Sequence, residues 1–226
     1  MKLYIDNKNY SSWSMRPWVL LRQAGIPFDE VKLRFDAFAP ESRFKAELAR
    51  ITPAGRVPVL VDGDLAVWDT LAIAEYLSER FPDKQLWPQD PKARARARSV
   101  CAEMHSGFGA LRSHFPMNIE ALLPEIGVRV LAEQAAVRDD LARLVGMWSA
   151  LLEASGGPLL FGAFSIADAY VAPVVMRLNT DQPTLPAAIS AYMRRVTALP
   201  GIDAWVKDAL AERDFLDLEE PYRSKA

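Results

Sequence analysis

The strand signals of this chain are confined to its beginning. Residues 2–6, 28–33, 57–61 and 65–67 carry short β-rich or alternating runs. Helical spacing falls between and after them, over residues 14–23, 41–50 and 70–80, and Gly25 and Pro27 stop the first helix. Asp62-Gly63 turns one strand into the next, which predicts a hairpin. The order β-α-β-α-β-β-α lets the first two strands lie parallel through a right-handed crossover and the last two pair antiparallel, giving one mixed sheet covered by helices.

Residues 82–90, with Pro82 and Pro88 around Leu86-Trp87, read as a linker. Beyond it the pattern is helical over residues 91–112, 124–154, 165–176, 186–197 and 201–212. The expectation is an α+β domain over residues 1–81 followed by an all-helical domain over residues 91–226.

Composition removes several function classes. A chain of 226 residues has room for one large domain or two small ones, and half of it is hydrophobic. A net charge of −2 provides no broad basic face, so no nucleic-acid partner is expected. The short run Lys92, Arg94, Arg96, Arg98 reads as a solvated helix face. The single cysteine, Cys101, cannot form an internal disulfide. No apolar run approaches the roughly 20 residues that cross a membrane, and the start lacks a signal-peptide pattern. A cytoplasmic protein with no membrane partner is expected. Two histidines without ligand spacing predict no metal site.

Four constellations carry chemistry. Tyr10-Ser11-Ser12-Trp13-Ser14-Met15-Arg16 lies at a strand-to-helix turn, where hydroxyls either cap the helix or meet an anion at its positive end. Val57-Pro58 begins a strand after the loop Thr52-Pro-Ala-Gly55-Arg56. A cis bond there would turn the Val57 backbone outward, whereas a trans proline at a strand start is the commoner case. Asp69-Thr70 precedes a helix and reads either as an N-cap pair or as a holder for a carboxylate and an ammonium. Ser165-Ile-Ala-Asp168 has the spacing of a capping box at the start of a buried helix.

Together these motifs, with Leu71-Ala-Ile-Ala-Glu-Tyr-Leu77 and Phe164-Ser-Ile-Ala-Asp-Ala169, resemble the cytosolic glutathione transferases over the whole chain. The likeness is to serine-type, bacterial, distantly zeta-like members. It implies a thioredoxin-like N-terminal domain, an all-α C-terminal domain, glutathione as co-substrate, a small electrophilic substrate, a homodimer and a role in detoxification. It also implies a cis Val57–Pro58 bond, pairing of the Val57 backbone with the cysteinyl part of glutathione, and a grip of Asp69-Thr70 on its γ-glutamyl end. The activating serine of such members precedes the basic residue of the first helix by five positions, so Arg16 points to Ser11 as the catalytic residue, with Ser12 and Ser14 as alternatives.

Ser11, Ser12, Trp13, Arg56, Val57, Pro58, Asp69 and Thr70 are the expected glutathione-binding residues. Arg56, Arg43 and Lys45 are candidates for its glycyl carboxylate. Trp13, His105, Phe108 and Arg112 are the expected second-substrate pocket. A thiol of pKa about 8.5 is mostly protonated at neutral pH, so a donating hydroxyl and a nearby cation such as Arg16 favour the nucleophilic thiolate. Trp13 stands where zeta-like members carry cysteine. The expected function is transfer of the glutathione thiolate to an electrophile. Glutathione-dependent cis–trans isomerisation of the maleylacetoacetate type, or a non-catalytic binding protein of the same fold, are the alternatives.

Overall fold

The computed structural model describes residues 1–37 and 39–222. The first part contains β1 (Lys2–Ile5), α1 (Ser12–Gln23), β2 (Asp29–Lys32), α2 (Arg43–Leu48), β3 (Val59–Asp62), β4 (Leu65–Val67) and α3 (Thr70–Arg80). The sheet order is β2-β1-β3-β4, with β1 parallel to β2 and antiparallel to β3. The mixed sheet matches the element order, and its thioredoxin-like arrangement is the one the family resemblance implies. On the register Leu3 sits opposite Leu60, and both are fully buried.

One continuous core joins β1, α1 and α3 to the helices beyond residue 90. A second cluster on the α2 side holds Tyr10, Phe35, Phe44 and Val59 together with Leu216 from the C-terminal segment. That segment, to which the sequence patterns assign no role, therefore packs back onto the first part of the chain.

The C-terminal region is helical: α4 (Pro91–Ser106), α5 (Gly109–His114), α6 (Pro124–Glu133), α7 (Ala135–Ser155), α8 (Ile166–Asp181), α9 (Ala187–Thr197) and α10 (Pro200–Glu212). Two expected helices are each split in two. The first breaks at Gly107, where an added Cβ would lie only 2.8 Å from the Glu103 carbonyl oxygen, and Phe108 then takes a left-handed conformation. The second breaks at Gln134, where no glycine or proline signals it. There Arg138 closes the end of α6 by donating to the Leu131 and Ala132 carbonyls, and α6 packs on α8 while α7 packs on α5 and α9. Helix α8 runs five residues past its expected end, because almost all of it is buried among its neighbours. The stretch expected as a linker is packed: Leu86 and Trp87 are buried, and the Leu86 carbonyl accepts from Ile166 N–H. No described helix is long and apolar enough to cross a membrane.

Helix α1 ties the two parts of the chain together. It packs on α3 and β1 from its own part and on α8 and α10 from the other. Gly201 at the start of α10 allows this, since a Cβ there would lie 3.1 Å from the Val19 carbonyl.

Candidate active site

The loop that delivers the serines is held rigidly. Lys8 is buried, forms ion pairs with Glu30 at 2.8 Å and Asp208 at 2.6 Å, and lies 4.5 Å from the Trp18 ring centroid. Asn9 donates to Asn118 at 2.8 Å, and Asn7 to the Asp214 carbonyl at 2.9 Å. Three segments distant in sequence thus clamp residues 6–10 before α1 begins.

Ser11 is the N-cap residue of α1, but its side chain makes no capping bond. Its hydroxyl donates to Ser14 Oγ at 2.7 Å, and Ser14 Oγ also accepts from Asp6 N–H at 3.3 Å. Ser14 is fully buried and does not cap the helix. Ser12, the first helical residue, accepts a hydrogen bond from Arg177 Nη2 at 3.2 Å. Arg177 comes from α8 and also donates to the carbonyls of Phe115 at 2.5 Å and Arg112 at 3.1 Å.

Two adjoining cavities of about 510 and 520 Å³ share Trp13, Arg56 and Val57. The first is completed by Pro58, Trp68, Asp69, Thr70 and His105. The second holds Ser11, Ser12, Lys45, Arg177, Leu216 and Glu219. The structure therefore brings all the expected glutathione-binding residues to the walls of these two cavities, with Trp13 between them. A larger cavity, about 630 Å³, lies between α4 and α7 and includes none of these residues.

The Val57–Pro58 peptide is cis, and so is Trp68–Asp69. Asp69 caps α3 by accepting from Leu71 N–H at 2.9 Å, and its other oxygen lies 3.1 Å from His105 Nε2. The Thr70 hydroxyl is bonded to the hydroxyl of Tyr170 on α8, and Thr70 is only 2% exposed. Lys45 donates to the Gly55 carbonyl at 2.6 Å on the cavity wall, whereas Arg43 pairs with Glu47 on the surface.

Of the expected second-substrate residues, Trp13 and His105 meet edge to face at 5.1 Å. Arg112 lies 5.7 Å from the Trp13 ring centroid and donates to the Met104 and His105 carbonyls, closing the end of α4. Phe108 is buried in the core and lines neither cavity.

The electrostatics are unusual. The Arg16 guanidinium stacks 4.2 Å from the Trp13 centroid and 4.4 Å from that of Tyr170. Its Nε and Nη1 are buried without a hydrogen-bond partner among the described residues. Burial pulls Arg16 down to about 10, and burial together with Arg112 and Arg16 does the same to Arg177. Both therefore remain charged at neutral pH. Asp6, on the wall of the serine cavity, is pushed up to about 6 by burial. Cys101 is buried and its thiol is held well above the ordinary range, so it is unsuited to act as a nucleophile.

A family profile described as the glutathione S-transferase N-terminal domain matches residues 10–80, and one described as the C-terminal domain matches residues 131–208. A glutathione S-transferase of Arabidopsis thaliana is 30% identical over 220 residues, covering 90% of this chain and 81% of its own. The chain belongs to the glutathione S-transferase family. A probable maleylacetoacetate isomerase of Caenorhabditis elegans is 29% identical over 84% of this chain and 92% of its own. Among solved structures, a glutathione transferase homologue from Burkholderia with bound glutathione has a TM-score of 0.70 at 23% identity, over 93% of this chain and 98% of that one. Its likeness supports the transferase fold.

Within this transferase fold, sequence patterns missed Arg177, Glu219 and Leu216, all of which line the serine cavity. The signal for Arg177 was present, as a lone cation inside the apolar run Tyr170 to Leu178. Nothing local marked Leu216 or Glu219, which reach the cavity only because the chain folds back after α10.

Proposed function

We propose that this protein is a glutathione transferase that holds the co-substrate across the two cavities and adds its thiolate to a small electrophile. The observation that carries this is the convergence of the Ser11–Ser12 turn, Val57 and Asp69 on Trp13 and Arg56. The Asp69 carboxylate suits the γ-glutamyl ammonium, the Val57 backbone suits the cysteinyl amide, and Lys45 or Arg56 suits the glycyl carboxylate. The sulfur then lies at the start of α1, where the helix dipole and the buried cations Arg16 and Arg177 favour its charged form. Each pH unit of depression of the thiol is worth about 1.4 kcal/mol. Trp13 and His105 form the side of the cleft facing the electrophile.

A second reading is glutathione-dependent cis–trans isomerisation. It is favoured by Arg16, Arg112 and Arg177 drawn together near Trp13, a positive setting suited to a substrate bearing carboxylates.

The chain divides into a glutathione-binding domain over residues 1–81 and a helical domain from residue 91 onward. It works as a cytoplasmic homodimer in detoxification. Calorimetric titration with glutathione, followed by turnover with an aryl halide and with a cis-dienoic diacid, tests the proposal. Glutathione binding with conjugation supports transfer, and cis–trans conversion without conjugation supports isomerisation. Absence of glutathione binding rejects both, and binding without either turnover leaves a ligand-carrying protein.

A further inference from the structure

Ser11 and Ser12, which both line the serine cavity, differ in what their single hydroxyl protons are doing. A hydroxyl has one proton to donate and lone pairs to accept with. The Ser11 proton is used inside the turn, on Ser14 Oγ at 2.7 Å. The Ser12 oxygen instead accepts from Arg177 Nη2, which leaves the Ser12 proton uncommitted at the cavity.

We propose that Ser12, oriented by Arg177 from α8, is the hydroxyl that donates to the glutathione sulfur. This rests on the cleft being a glutathione site. Ser12 would be the catalytic residue, touching the sulfur, and Arg177 a positioning residue acting through it. The thiol gives up its proton to solvent, and the sulfur then accepts the Ser12 O–H hydrogen bond, so Ser12 itself neither gains nor loses a proton.

Three features make the pair suited to this. Arg177 is only 8% exposed and is fixed by two backbone carbonyls, so its direction toward Ser12 is preset. A cation donating to Ser12 Oγ polarises that hydroxyl and makes it a stronger donor. Ser12 is also the first residue of α1, where the helix dipole favours negative charge. The charges that act on Arg177 are the cations Arg112 and Arg16 and the carboxylates Glu219 and Asp181. The same cavity is also lined by Asp6, Lys45, Arg56 and Glu219.

The test follows the thiolate absorbance of bound glutathione against pH in the wild type and in S11A, S12A, R177Q and R177K, with calorimetry for affinity and circular dichroism for folding. S12A should raise the midpoint by about one pH unit, which is tenfold less thiolate below it. S11A should move it less. R177Q should raise it in the same direction as S12A, and R177K should recover part of the shift. In the S12A background the R177K change should add nothing, because its effect passes through Ser12. A midpoint unmoved by S12A, or moved more by S11A, overturns the proposal, and these two variants decide it even if R177Q fails to fold. Wild-type protein that does not bind glutathione overturns the site reading as well, so the two failures are distinguishable.

Discussion

The two ends of α8 each bury a carboxylate, and the two are treated in opposite ways. At the N-terminal end Asp168 accepts from Ser165 N–H at 3.1 Å, the Ser165 hydroxyl at 3.3 Å, Leu160 N–H at 3.2 Å and the Tyr192 hydroxyl at 3.1 Å. At the C-terminal end both oxygens of Asp181 are buried with no hydrogen-bond partner among the described residues. One turn earlier, Arg177 reaches out of the helix to Ser12 across 165 positions of sequence. Complete satisfaction marks the end that builds the fold. At the other end Arg177 lines the serine cavity, while Asp181 lies outside both cavities and its carboxylate has no hydrogen-bond partner among the described residues.

Breaking the satisfied end should have the largest effect. Asp168→Ala leaves two backbone N–H groups and a tyrosine hydroxyl buried without an acceptor, at about 1–3 kcal/mol for each such group. Thermal unfolding should show a loss of about 4 kcal/mol or more, a fall in Tm of roughly 10 °C. A shift within noise would mean the capping box is not a structural centre.

The next effect probes how tightly the other end is packed. Gly127 on α6 sits so close to α8 that an added Cβ would lie 1.9 Å from the Asp181 carbonyl oxygen. Gly127→Ala must push the two helices apart, at an expected cost of about 1–3 kcal/mol by overpacking. An unchanged Tm would show that this end of α8 yields easily.

The smallest effect concerns charge. Burial pushes the Asp181 carboxyl up to about 7, from an ordinary 3.8, with Arg177 pulling the other way. Between those values the folded state binds the proton and the unfolded state releases it. Its contribution therefore favours the fold below about pH 4, weakens as pH rises toward 7 and is constant above. Asp181→Asn should flatten the Tm profile across that window relative to the wild type. Parallel profiles would mean that Asp181 is stabilised as a carboxylate after all. Asp168, pushed up to about 6 by burial, provides the control from the satisfied end.

The same contrast explains what was legible in the sequence. Ser165 and Asp168 are three residues apart, so a local spacing announces their capping box. The parallel and antiparallel strand pairings were also readable from the element order, and the gathering of Trp13, Val57 and Asp69 was implied by the resemblance to the glutathione transferases. Arg177 and Ser12 could not be paired that way, since only the packing of α1 on α8 brings them together. Thr70 offered a ligand-facing hydroxyl by its position alone, but Tyr170 takes it in the folded chain. The break at Gln134 is announced by no glycine or proline, and it goes with the Arg138 side chain closing α6 and with α6 and α7 packing against different helices.

A cleft that holds glutathione as a thiolate at the start of α1 must lower the pKa of the bound thiol. The most direct measurement is the pH titration of thiolate absorbance for glutathione bound to the wild-type protein. A midpoint at least one pH unit below the free thiol value of about 8.5 is the predicted result. A bound thiol that titrates at or above that value would contradict thiolate stabilisation at this site.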